Sequence, residues 1–121
     1  MRKLLVLSMF LFSLLGLHAN EPSYDSVMAK VSKEAMVLEF GASTCKACKD
    51  MKEVIGELKK DNPILPVYIV DIRENREAID KFKIQNIPTQ VVLDKSGKEL
   101  SRHIGKLSKE ELLSLVELSK K

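Results

Sequence analysis

The sequence predicts an α/β domain in which a mixed four-stranded sheet carries helices on both faces. Three observations lead there. Short apolar runs of strand length alternate with segments whose apolar residues recur at helical spacing. The last two strand-like runs are joined by a tight turn, as in a hairpin. No repeat, linker or low-complexity tract divides the stretch from Asn20 to Lys121, and a chain of 121 residues is long enough for one small domain but not for two.

The elements follow in order. Ser23 can cap a first helix whose Tyr24, Val27, Met28 and Val31 share one face. Met36 to Ala42 (MVLEFGA) reads as a buried strand carrying a single acid, Glu39. From Cys45 to Lys60, the positions Ala47, Met51, Val54, Ile55 and Leu58 mark a second helix. Pro63 and Pro66 punctuate the loop before a second buried strand, Val67 to Val70. A helix over Glu74 to Lys83 turns Ala78, Ile79 and Phe82 inward. Thr89 to Leu93 and Glu99 to Ile104 form the hairpin around Asp94-Lys95-Ser96-Gly97, where Gly97 supplies a positive φ. Ser108 and Glu111 then make a capping box ahead of Leu112, Leu113, Leu115 and Val116. Strands separated by helices imply parallel neighbours with right-handed crossovers, and the hairpin adds an antiparallel edge.

The N-terminus is excluded from this fold. Met1-Arg2-Lys3 is a basic head, Leu4 to Leu17 is uncharged and rich in Leu and Phe, and Ala19 offers a small residue for cleavage. Residues 1–19 are therefore expected to be a secretory signal peptide and residues 20–121 the folded domain. An uncleaved inner-membrane anchor facing the periplasm is the alternative, although the uncharged stretch of 17 residues is shorter than the ~20 a spanning helix wants. Without Arg2 and Lys3 the chain keeps 18 basic against 17 acidic side chains, so the basicity belongs partly to the export signal. Charges alternate in sign along the predicted helices, which is the pattern of a solvated surface and not of a nucleic-acid footprint.

Export implies an oxidising compartment, where cysteines tend to pair. The only two cysteines, Cys45 and Cys48, are three residues apart. A bridge over so short a loop constrains little of the unfolded chain, which makes it a poor staple and points to chemistry. Cys45 falls where a strand hands over to a helix, so unpaired N–H groups and the helix dipole favour a thiolate there. Cys48, one turn on and more buried, is placed to resolve a mixed disulfide. Covalent haem would need His after Cys48, where Lys49 stands. Zinc would need four ligands, and beyond the two cysteines the domain offers only His103, so only a dimer could complete a site. An inert local disulfide is the remaining alternative. No metal and no cofactor is called for.

Four segments resemble the thioredoxin family across nearly all of the domain. Val37-Leu38-Glu39-Phe40 looks like its central strand, Cys45-Lys46-Ala47-Cys48-Lys49 like its active-site motif, Ile87-Pro88-Thr89 like its cis-proline loop, and Gly105-Lys106-Leu107-Ser108 like the glycine turn before its last helix. The resemblance implies a thioredoxin fold and a thiol–disulfide oxidoreductase whose catalytic, redox-active pair is Cys45 and Cys48. It further implies a cis bond before Pro88, substrate binding along Ile87, Pro88 and Gly105 as an added strand, and proton transfer to and from Cys48 by a buried Glu39. The plainer alternatives are a trans proline opening a strand, a simple turn at Gly105 and a solvated acid at the sheet edge.

Departures from the family pattern narrow the expectation. Thr44 and Gly41 stand where aromatic residues are common, Lys46-Ala47 replaces Gly-Pro between the cysteines, and Glu53 replaces a kinking proline. The Cys-Xaa-Ala-Cys-Lys form is more similar to the periplasmic reductant domains that pass electrons within the Dsb system. A cation that lowered the thiolate pKa by about one unit would move a two-electron couple by only ~30 mV. Lys46 therefore cannot span the ~150 mV between a reductant and a strong oxidant of this family. Ile87 before the proline also resembles reductive members. The expected function is reduction of disulfide-containing periplasmic proteins by a monomer that a membrane thiol electron carrier replenishes. An oxidant or isomerase of folding proteins, and a non-catalytic binding module on the same fold, are the alternatives.

Overall fold

The computed structural model describes residues 21–121, so the expected signal segment lies outside the described residues. Eight elements follow in the predicted order: α1 (Tyr24–Met28), β1 (Met36–Gly41), α2 (Lys46–Asp61), β2 (Val67–Asp71), α3 (Glu77–Phe82), β3 (Thr89–Leu93), β4 (Glu99–Ile104) and α4 (Lys109–Ser119). Among the described residues no helix is long and apolar enough to cross a membrane.

Local signals account for the ends of these elements. The Ser23 side chain accepts the Ser26 N–H and caps α1. Ser108 and Glu111 close a reciprocal capping box on α4, with Glu111 Oε2 accepting the Ser108 N–H at 2.7 Å. Gly97 has φ 87° in the hairpin turn, and the Asp94 carboxylate gathers the N–H groups of Ser96 and Lys98. The third helix starts later than predicted. Asp71 Oδ1 accepts the N–H groups of Arg73 and Glu74, and this Asx-type bonding holds the first predicted turn outside the helix.

The sheet order is β2-β1-β3-β4, with β1 parallel to β2 and antiparallel to β3, and β3 antiparallel to β4. The helix between β2 and β3 therefore does not produce a second parallel pair. With six residues α3 spans about 9 Å, about half the length of a five-residue strand. The connection crosses over β1 without returning to the far end, and β3 starts level with the end of β1, Thr89 opposite Phe40. That geometry carries Pro88 to the same end of the sheet as the cysteines.

Two apolar layers flank the sheet. Leu38, Phe40 and Val91 pack with Val27 and Ala78 under α1 and α3; Val37 and Val92 pack with Met51, Ile55, Leu112 and Val116 under α2 and α4. Every residue of β1 is buried, as expected of a central strand. The second strand, expected to be buried, is an edge: Val67 and Val70 are covered while Tyr68 and Ile69 are half-exposed. Leu113, one of the apolar residues that mark α4, is 39% exposed, because the helix buries the stripe through Leu112 and Val116.

Candidate active site

The chain leaves β1 at Gly41, turns through a Cys45 N–H to Ala42 C=O bond of 3.1 Å, and enters α2 with Cys45 as its N-cap. The Cys45 Sγ accepts the Cys48 N–H at 3.2 Å, so the sulfur takes the place usually filled by a capping oxygen. A thiolate at this position is stabilised by that N–H and by the positive end of the helix. The two sulfurs form a disulfide, with the Cα atoms 5.2 Å apart. Cys45 is half-exposed and Cys48 is 8% exposed, an asymmetry that makes Cys45 the sulfur an incoming partner can reach.

Gly41 is required by packing. A Cβ there would lie 3.0 Å from the Cβ and 3.2 Å from the Sγ of Cys48. Gly41→Ala is expected to cost about 1–2 kcal/mol in denaturant unfolding, because either the strand or the resolving cysteine must shift. A variant as stable as the parent would show that Cys48 has slack the packing does not suggest.

Glu39 lies on the face of β1 beneath α2 and is 2% exposed, which excludes the solvated-edge alternative. Its neighbour across β1 and β3 is Gln90, itself fully buried, whose Nε2 donates to Glu39 Oε2 at 2.9 Å. The other carboxyl oxygen, Oε1, is buried without a protein partner. Burial pushes the Glu39 pKa up to about 8, against the opposing pull of the Gln90 N–H. Because Oε2 already accepts an N–H, the proton belongs on Oε1. Glu39 and Cys48 line one cavity of about 500 Å³, together with Lys49 and Lys52 of α2.

The Ile87–Pro88 bond is cis. Gly105 donates its N–H to Pro88 C=O at 2.8 Å, joining the two segments expected to meet a substrate. Gly105 has φ 106°, and a Cβ there would meet only His103 Cε1 at 4.0 Å. The position therefore needs glycine for its backbone conformation and leaves open space above it. Beside it Ile104 is 56% exposed, and Ile87 is half-buried. Lys46 is an exposed cation whose ammonium lies 3.8 Å from Asp50, and Asp50 also takes the Lys106 ammonium at 3.0 Å.

Gln90 escaped the sequence reading, and His103 was weighed there only as a zinc ligand. Gln90 bonds the carbonyl of Gly105 at 3.1 Å as well as Glu39, and its Oε1 meets His103 Nδ1 at 2.8 Å. The available signal was a polar side chain within the apolar run of β3 (TQVVL), matching the single acid within β1.

Two sulfurs that can exist as a bonded pair or as two thiols, one reachable and capped by a helix, can exchange a disulfide with another polypeptide. The chain is a protein-disulfide oxidoreductase built on a thioredoxin fold. It belongs to the thioredoxin family, whose model, described as thioredoxin, matches residues 16–118. A thioredoxin of Bacillus subtilis is 33% identical over 93 residues, covering 76% of this chain and 88% of the relative. A thioredoxin H-type of Fagopyrum esculentum is also 33% identical, over 85 residues, 70% of this chain and 72% of the relative. Among solved structures, thioredoxin of Fasciola hepatica superposes with a TM-score of 0.63 at 29% identity, covering 74% of this chain and 85% of that one.

Proposed function

We propose that this chain is an exported reductant: it reduces disulfide-containing proteins of the periplasm and is itself replenished by a membrane thiol electron carrier. Export is read from the pattern of residues 1–19. The observation that carries the direction of electron flow is the charge around Cys45. Lys46, with a side chain 90% exposed, faces Asp50, and Asp50 is shared with Lys106. Solvent and the Asp50 carboxylate screen Lys46 from the Cys45 thiolate, whose direct stabilisation comes from one backbone N–H and the helix end. A weakly stabilised thiolate means a weakly stabilised reduced form, and such a protein gives up its electrons readily.

In this reaction the Cys45 thiolate attacks a substrate disulfide, forming a mixed disulfide and releasing one substrate thiolate. Glu39 in its ionised form then takes the proton of Cys48 on Oε1, and the resulting Cys48 thiolate attacks Cys45 Sγ. The second substrate thiolate leaves, so two electrons have passed from the chain to its substrate. A carboxyl with a pKa near 8 suits this task, because an ordinary thiol titrates at about 8.5. The extended substrate lies along Ile87, Pro88 and Gly105, where the open space over Gly105 and the exposed Ile104 accept an apolar segment.

Redox titration against glutathione tests the direction. The potential is expected nearer to the roughly −270 mV of thioredoxin than to the roughly −120 mV of the family's strongest oxidants. A value close to the latter would mean that the chain oxidises its partners.

A further inference from the structure

The row Glu39–Gln90–His103 runs straight across β1, β3 and β4, since Gln90 is registered with Glu39 on one side and with His103 on the other. All three side chains are therefore on the α2/α4 face of the sheet. Their hydrogen bonds allow one assignment. Both hydrogens of the Gln90 Nε2 go to acceptors, Glu39 Oε2 and the Gly105 carbonyl. Its Oε1 can then only accept, so His103 must carry hydrogen on Nδ1. The amide cannot flip without setting its oxygen against a carboxyl oxygen and a carbonyl.

We propose that Gln90 and His103 are positioning residues for disulfide exchange, holding the Glu39 carboxyl in one orientation with Oε1 unpaired beside the cavity it shares with Cys48, and tying it to the substrate loop at Gly105. The inference rests on the reading of Glu39 as the group that exchanges a proton with Cys48. It adds a physical link between that proton and the segment where a polypeptide docks: a shift of the Gly105 carbonyl alters the same amide that bonds Glu39. Gln90 also limits how far burial raises the proton affinity of Glu39, because its N–H favours the charged carboxylate.

The charged groups around the row are of both signs. Lys49 and Lys52 of α2, with Asp71 at the end of β2 and Glu74 beyond it, line the cavity that Glu39 faces. From α4, Glu111 is close enough to His103 for the two to interact electrostatically. None of these donates a hydrogen bond to Glu39 among the described residues; Gln90 does.

The test is a carbon-13 titration of the Glu39 carboxyl in the oxidised full chain. Gln90→Met, similar in size and without an amide, is expected to raise the midpoint by about one pH unit, a tenfold gain in proton affinity. His103→Leu, at a half-exposed position that threatens the fold less, is expected to move it in the same direction by a smaller amount. His103→Asn, which keeps an N–H donor for Gln90 Oε1, is expected to restore it. If His103→Leu and His103→Asn titrate alike, or if Gln90→Met leaves the midpoint in place, the positioning role is wrong. Should Gln90→Met fail to fold, the His103 pair decides alone. These midpoints are read without turnover, so they can fail while Glu39 still serves Cys48, and Glu39 can prove dispensable for exchange while they hold.

Discussion

Cys45→Ser is expected to reduce disulfide-reducing activity to the uncatalysed background, and Cys48→Ser to keep the attack step while losing the resolution step. Only Cys45 combines exposure with the helix N-terminus, so a serine hydroxyl there supplies no anion at neutral pH to open a substrate disulfide. With Cys45 intact and Cys48 replaced, attack proceeds but resolution does not. A mixed disulfide should then accumulate to about one equivalent, visible as an added mass that an external thiol removes. Insulin reduction separates the two variants from an inert binding module, which would be silent before either substitution. Multiple turnovers by Cys48→Ser would show that the buried sulfur does not resolve the intermediate.

Glu39→Gln is expected to stabilise the protein at neutral pH while slowing exchange. The carboxyl has a pKa of about 8 in the fold against an ordinary 4.5. The folded state thus binds this proton more tightly than the unfolded chain does. Its contribution is most favourable below pH 4.5, declines as the unfolded chain ionises, and is fully lost once the pH passes 8. At ~1.4 kcal/mol per unit, the burden at pH 7 is about 3 kcal/mol. Glutamine can keep an oxygen for the Gln90 N–H and carries no charge to bury, so most of that burden should disappear. Urea unfolding at pH 5, 7 and 9 should show a stability that falls steeply for the parent and stays nearly flat for Glu39→Gln. Resolution of the mixed disulfide, followed in a single turnover, should slow by about 10²-fold as the base is lost. Parallel stability curves for the two proteins would mean that Glu39 is not the buried titrating group.

Such a stabilising loss of function is the pattern expected where a fold tolerates a buried acid for its chemistry. At Gly41 the balance runs the other way: the absence of a side chain leaves room for Cys48, and adding one is expected to destabilise. Neither residue is of a type that strands favour by intrinsic propensity.

Local chemistry was legible from the residues themselves. The eight elements, the capping box at Ser108 and Glu111, the positive φ at Gly97 and the place of Cys45 at a strand-to-helix junction depend on neighbours a few residues away. The strand order, the antiparallel seam between β1 and β3, the exposure of the β2 edge and the row from Glu39 through Gln90 to His103 do not. Glu39 and Gln90 are 51 positions apart, and whether they meet depends on register across two strands. Periodicity can say that a polar residue is on a buried face; it cannot name the partner that makes its burial tolerable, because that partner arrives through pairing of distant segments.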